Sequence, residues 1–366
     1  MLEQVKPQKV SKNGKIELLR FVFCMAVLIF HCEKYVMGEP SLKDGIHISL
    51  FCHGSMGVEF FFIVSGLLMA RTAYKRQQVT EKLNLATESL NFMKRKIMTV
   101  FPMHAIAFVF AFIAYAASQH FGWTQIVMKA VESIPSFFLI QMSGINLCSP
   151  NHITWYISCM LIAMALLYPL CVKYYEMFTK YIAPFLAIMI LGYCVATTGR
   201  LTGVMVWTGI VYKSLLRAIG EIALGACGFE LVRQLEECVT RTSQKILIAI
   251  GEVIVFIGVM AYMIGTFPSE MEIIETIAIF VLVVLAFSGK GLGSSQFNNR
   301  LCYALGKLSL PLYLVQLVPI YIVGEFETDW SNQRKIVAVI ISTFMLAGIV
   351  MIINMLWHHG KGRKVR

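Results

Sequence analysis

Long apolar runs separated by short charged blocks set the pattern of this chain. Ten runs can be placed, near residues 16–37, 56–72, 97–118, 153–172, 182–198, 215–232, 246–266, 272–287, 308–324 and 334–357. Each approaches the roughly 20 apolar residues that a helix needs to cross a bilayer core. Inside lipid, backbone N–H and C=O groups must be satisfied within the segment, so the runs predict helices. No series of ten-residue segments alternates as barrel strands would. The expected fold class is all-α: a polytopic membrane protein of about ten spanning helices, one domain over residues 1–366. The longest link, 119–152, holds an apolar segment from Trp123 to Met142 that carries Lys129 and Glu132. That pattern predicts a surface or re-entrant helix. The internal repeat common in transporters is not visible.

Composition sharpens this picture. The chain is 57% hydrophobic and 14% charged, whereas soluble domains carry about 25% charged residues. A net charge of +11 would suit a nucleic-acid partner. The basic residues sit at the ends of apolar runs instead, which excludes nucleic acid and points to the bilayer. With the N-terminus inside, inner segments hold 23 Lys and Arg and outer segments hold seven, with Arg20 and Arg217 inside spans. This asymmetry orients the chain. The short basic tails, 1–15 and 358–366, are then cytoplasmic and the host is the plasma (inner) membrane. Segments 38–53, 119–152 and 325–333 face outward, and 73–95 faces inward. The blocks Lys94–Lys96 and Lys361–Arg366 serve at least as topology signals. The first run is too long for a signal peptide and contains Arg20 and His31. Ten scattered cysteines without a CxxC pair give no reason to expect a metal. Cys52 and Cys148 fall in outer loops, where a disulfide is permitted. The sequence gives no distance between them.

An ionisable group inside a span costs roughly 2.5–3.5 kcal/mol on insertion scales, so it should face protein or water. The first run holds Arg20 and His31, eleven residues apart. Eleven helical steps return to within roughly 20° of the same face, about 16 Å along the axis. One face thus carries a cation near its inner end and an imidazole near its outer end, with Glu17, Cys24 and Val27 on the same stripe. Either Arg20 snorkels inward while His31 caps the helix, or the pair does chemistry. Glu59 lies at the depth of His31, where a carboxylate can hold a ring in one tautomer. A water-accessible interfacial carboxylate is the plainer alternative. Ser65 and Gly66 suggest close helix packing. Trp155 is either an interfacial anchor or a ring face for a ligand. His53 and His152 read as loop residues. Arg217 and Glu221, four apart, predict a buried structural pair.

Several short patterns recur together in one family. They are Arg20 followed by His31; Gly57-VEFFFIVSG to Gly66; Arg95-KIMTVFP to Pro102; Trp155-YIS opening a run that closes with Tyr168-Pro169; and Leu305-GKLSLPLYLVQ to Gln316. With this ordered set the chain resembles the membrane-bound acyltransferase-3 family, which acylates bacterial cell-envelope and secreted carbohydrates. The resemblance implies an acyl-CoA donor, acetyl-CoA or a similar thioester, on the cytoplasmic side, with no permanently bound cofactor. It implies an acceptor hydroxyl on an extracytoplasmic polysaccharide or its lipid-linked precursor. His31, with an ordinary pKa near 6.5, is suited to act as general base, and Glu59 would support it. Arg20, Arg95, Lys94 and Lys96 would contact the donor. Trp155, Tyr156, Ser158, Tyr313 and Gln316 would contact the acceptor. The chain departs from the family where Thr99 replaces an arginine, Met160 a glutamate and Gln316 a histidine. A different class, a transporter or flippase for lipid-linked sugars, would also need many spans and buried charges.

Overall fold

The computed structural model describes residues 13–37, 51–79, 83–145, 147–326 and 329–363. The expected outer segment 38–50, the basic tail before residue 13 and residues 364–366 lie outside the described residues, as do side chains beyond Trp357. About 83% of the described residues are helical, and none of them forms a strand. The helices are α1 Gly14–Cys32, α2 Gly57–Gln77, α3 Leu85–Ser118, α4 Trp123–Glu132, α5 Ile134–Phe137, α6 Trp155–Lys173, α7 Tyr175–Met177, α8 Ala183–Thr198, α9 Lys213–Cys238, α10 Thr242–Ile264, α11 Glu272–Ser288, α12 Arg300–Val315, α13 Leu317–Phe326 and α14 Asn332–Arg363.

Local chemistry explains several boundaries. Asn13 caps α1 by accepting from the backbone N–H groups of Lys15 and Ile16, at 3.0 and 3.3 Å. Its amide donates to the carbonyls of Ala286 and Phe287, at 2.9 and 3.1 Å, tying α1 to the end of α11. Asn84 and Asn299 cap α3 and α12 in the same way. α12 and α13 meet at a 47° bend. Pro319 lies four residues after Val315 and cannot donate to its carbonyl, so the helix breaks there. The single apolar run 308–324 therefore straddles the bend of a helix pair that begins at Arg300.

Seven described helices are long and apolar enough to cross a membrane, or eight if the bent pair counts as one span. α2, α6 and α11 bury more than half of their apolar window, whereas α3, α8, α10 and α14 bury less than a third. The first group forms the middle of the bundle and the second its rim. α1 and α9 are the other two long helices. They carry Lys15, Glu17, Arg20 and Lys213, Arg217, Glu221 respectively, too many charges for an apolar window. Both lie in the middle, where protein covers Lys15, Lys213, Arg217 and Glu221, and where Phe23, Cys24 and Val27 of α1 and Ala218 and Ala226 of α9 are fully buried.

Close contacts set the central packing. A Cβ on Gly66 of α2 would collide with the carbonyl oxygen of Ile222, and one on Gly225 of α9 with that of Ile63. The two backbones touch at both points, as small residues permit. Lys15 of α1 pairs with Glu252 of α10. α3 starts at Leu85 rather than at 97, because its polar first half is held by neighbours. Phe92 stacks on Tyr168 at 3.7 Å, and Glu88 accepts a 3.0 Å hydrogen bond from the Tyr168 hydroxyl. In the link 119–152, α4 is a surface helix with no buried residue. The chain then turns back through α5 to a short turn at Gln141–Ser143. Cys52 and Cys148 are both free thiols.

Candidate active site

A cavity of about 600 Å³ opens at the end of the bundle where α1 finishes. α1 passes there into a wider π-helical turn, Glu33–Met37. This turn brings Lys34 and Tyr35 to the cavity beside His31. The opposite walls come from His152 and Trp155 at the start of α6, from Arg200, Thr202 and Gly203 in the loop after α8, and from Arg217, Glu272 and Tyr313.

His31 is held in one orientation. Its Nδ1 lies 3.2 Å from Oε1 of Gln316, at the α12–α13 bend. The Gln316 amide nitrogen donates to the Tyr313 carbonyl at 3.1 Å. That second bond turns the amide so that its oxygen faces the ring. Nδ1 must then carry the proton, which leaves Nε2 as the acceptor. The Tyr313 hydroxyl in turn donates to the carbonyl of Ile153. Across the cavity, His152 Nε2 is 2.9 Å from the Tyr35 hydroxyl, and His53 Nδ1 is 3.1 Å from the Gly265 carbonyl.

The cavity floor is a buried charge cluster. Arg217 lies 3.5 Å from Glu59 and 3.4 Å from Glu221. Its guanidinium also stacks 5.2 Å from the Trp155 ring. Nearby, Lys213 donates to Thr198 Oγ1 and to the carbonyls of Arg200 and Thr202. Glu272 accepts from the N–H groups of Leu201 and Thr202, at 2.6 and 2.8 Å, and from Thr202 Oγ1 at 2.7 Å. These bonds fix the loop after α8 as a rigid wall.

A second group of cations lies toward the other end of α1. Arg20 pairs with Glu17 at 3.5 Å and is near enough to Lys96 for the two like charges to repel. Arg95 and Arg76 lie 3.6 and 3.5 Å from Glu88. Lys94 is exposed.

The model of the acyltransferase-3 family, an acyltransferase domain, matches residues 13–357. This chain belongs to the acyltransferase-3 family. No curated protein and no solved structure matches it.

In this acyltransferase, His31, Trp155 and Tyr313 line the cavity, as does Arg217. Glu59 does not orient His31 as the sequence suggested; Gln316 does, and Glu59 pairs with Arg217 instead. Tyr156 and Ser158 are not among the lining residues. The Tyr156 hydroxyl donates to Met160 Sδ at 3.5 Å, and Ser158 Oγ accepts from the Met142 N–H at 3.2 Å. Met160 also receives the Ser65 hydroxyl at 3.3 Å, so it takes up two hydroxyls. His53 and His152, outside the α-helices as the sequence suggests, also line the cavity. The loop after α8 was missed as well. Its one sequence clue is a pair of ionisable residues, Lys213 and Glu272, each opening a helix next to it.

Proposed function

We propose that this membrane acyltransferase moves an acyl group, acetyl or a similar one, from cytoplasmic acyl-CoA to a hydroxyl of an extracytoplasmic polysaccharide or its lipid-linked precursor. In this reading α1 and α9 span with the other helices, giving ten passages in the plasma membrane. The cavity at the His31 end faces outward. The observation that carries the reading is His31: it lines the cavity, and Gln316 leaves its Nε2 free to accept a proton.

The sugar hydroxyl attacks the thioester carbonyl while its proton passes to His31 Nε2. The C–S bond breaks as the tetrahedral intermediate collapses. The proton returns from His31 to the departing sulfur, which leaves as the CoA thiol. Gln316 keeps Nδ1 protonated throughout and accepts a stronger hydrogen bond when the ring becomes charged. Glu59 is a positioning residue that holds Arg217 at the cavity floor. The donor's negative groups have a place near Arg20 and Lys96, two cations close together with Glu17 as the acidic partner of Arg20. A fixed guanidinium is suited to phosphate. Lys94 and Arg95 extend that positive end. Arg20 lies about 16 Å from His31 along the helix axis, so the donor's extended arm would carry the thioester between them.

Acyl transfer by the purified protein in proteoliposomes tests this, with radiolabelled acetyl-CoA and a surface polysaccharide extract. His31→Ala should lower transfer by about 10²–10⁴-fold, the usual worth of general-base catalysis. His31→Gln should not rescue it, because an amide cannot take the proton. Near-normal transfer by His31→Gln at equal abundance would remove the base. Arg20→Gln should raise KM for acetyl-CoA, and an unchanged KM would remove the donor role.

A further inference from the structure

We propose that the acceptor is anionic: the cavity is built for a sugar bearing a carboxylate or phosphate beside the hydroxyl that is acylated. This rests on the acceptor reading of the cavity given above. Four side chains with full charges line it, the basic Lys34, Arg200 and Arg217 and the acidic Glu272. Glu272 is occupied by three hydrogen bonds from Leu201 and Thr202. Arg217 is held between Glu59 and Glu221. Lys34 and Arg200 have no ion pair among the described residues, and both are exposed at the cavity. Lys34 and Arg200 are thus the lining cations open to a ligand's anionic group, and Lys34 is close enough to act on both His31 and His152.

The placement matters as much as the sign. Lys34 follows His31 by three residues, in the π-helical turn that continues α1, so a bound anion would lie within reach of the base. Arg200 stands on a wall fixed by Lys213 and Glu272, and its planar fork matches carboxylate and phosphate alike. Apolar walls concentrate the field of the two cations into the cavity. Trp155 and Tyr35 add ring faces against which the sugar can pack. A neutral glycan would offer neither cation a counter-charge, and the described residues supply none.

Equilibrium dialysis with the full chain in nanodiscs tests the idea. Three probes of equal length are compared: a glucuronic-acid oligosaccharide, a glucose oligosaccharide with a terminal phosphate, and the neutral glucose oligosaccharide. The acidic probes should bind at least tenfold more tightly than the neutral one at low salt, and this gap should narrow as salt rises. Lys34→Gln and Arg200→Gln should each reduce the gap by about threefold to tenfold. The stronger of the two acidic probes identifies the anion. Equal binding of acidic and neutral probes, failure of both acidic probes to bind, or a gap that survives the double variant would overturn the proposal. Acyl transfer is followed in parallel. Transfer to neutral glycan with no charge preference would sink the anionic acceptor and leave the transferase standing. Charge-selective binding without transfer to any glycan would do the reverse.

Discussion

Arg217 shows how much of the site depends on single residues. It is 3% exposed and faces two carboxylates, Glu59 and Glu221, that are fully buried. Removing one member of a buried ion pair costs about 3–5 kcal/mol, because the partner is left as an uncompensated charge. Arg217→Met leaves two such carboxylates and loses the stacking on Trp155. The variant should melt well below the parent in detergent, with lower yield of folded protein. Glu221→Gln removes one acid from a cluster that has one to spare and should cost less. An unchanged Tm for Arg217→Met would mean that the cluster contributes little to stability. The Arg217–Glu221 half of this cluster was legible, because residues four apart share a helix face. Glu59 was not, since it comes from another helix and only the tertiary packing brings it there. The partner of His31 was hidden for the same reason: Gln316 reads as a family histidine that has been lost, and the fold shows it holding the ring.

At the scale of elements, the contact between α2 and α9 positions the cavity floor. Gly66 and Gly225 let the two backbones meet at two points, and Glu59 and Arg217 face each other at the cavity end of the same helix pair. A methyl group at either glycine meets a carbonyl oxygen, which cannot swing aside as a side chain would. Overpacking of this kind costs about 1–3 kcal/mol. Gly66→Ala and Gly225→Ala should therefore each lower Tm, and each should reduce acyl transfer by moving Glu59 relative to Arg217. Gly258→Ala in α10 is the control, since nothing lies within 4 Å of its added Cβ. It should be neutral or slightly stabilising, because alanine favours a helix over glycine by about 1 kcal/mol. Equal effects at all three positions would show that helix propensity rather than contact governs. The helices themselves were largely legible, because apolar length is a strong signal in a membrane chain. Their ends were less so. The start of α3 is polar and is stabilised by Tyr168 and Glu88, contacts that hydropathy does not register. The bend at Gln316 depends on Pro319 and on neighbours able to receive the freed carbonyl.

For the whole molecule, the charge bias makes a prediction that geometry alone does not. Lys and Arg number 23 in the segments assigned inside and seven in those assigned outside. Such a bias places the inner segments in the cytoplasm. The helix that opens at Leu85 follows one of the links assigned inside, and the one that opens at Asn332 follows a link assigned outside. Ala86 and Ser331 are both exposed, so a cysteine at either can be reached from its own side. Cys238 is exposed and Cys52 and Cys227 partly so, and all three should first be changed to serine. An impermeant maleimide added to intact cells should then label Ser331→Cys and leave Ala86→Cys unmodified until the membrane is opened. A fluorescent protein fused after Arg366 should fold and fluoresce, as it does in the cytoplasm, whereas a periplasmic phosphatase at the same place should stay inactive. The two readouts test different parts of the proposal. Labelling reports the side on which each link lies, and the fusion reports whether an even number of passages brings the end back inside. If Ala86→Cys reacted in intact cells, the His31 cavity would open toward the cytoplasm and could not receive a surface glycan. If labelling followed the expected pattern but the fusion were dark, the side of the cavity would hold and the count of ten would fall. The bent pair α12–α13 would then be the first place to seek a re-entrant segment in place of a full passage.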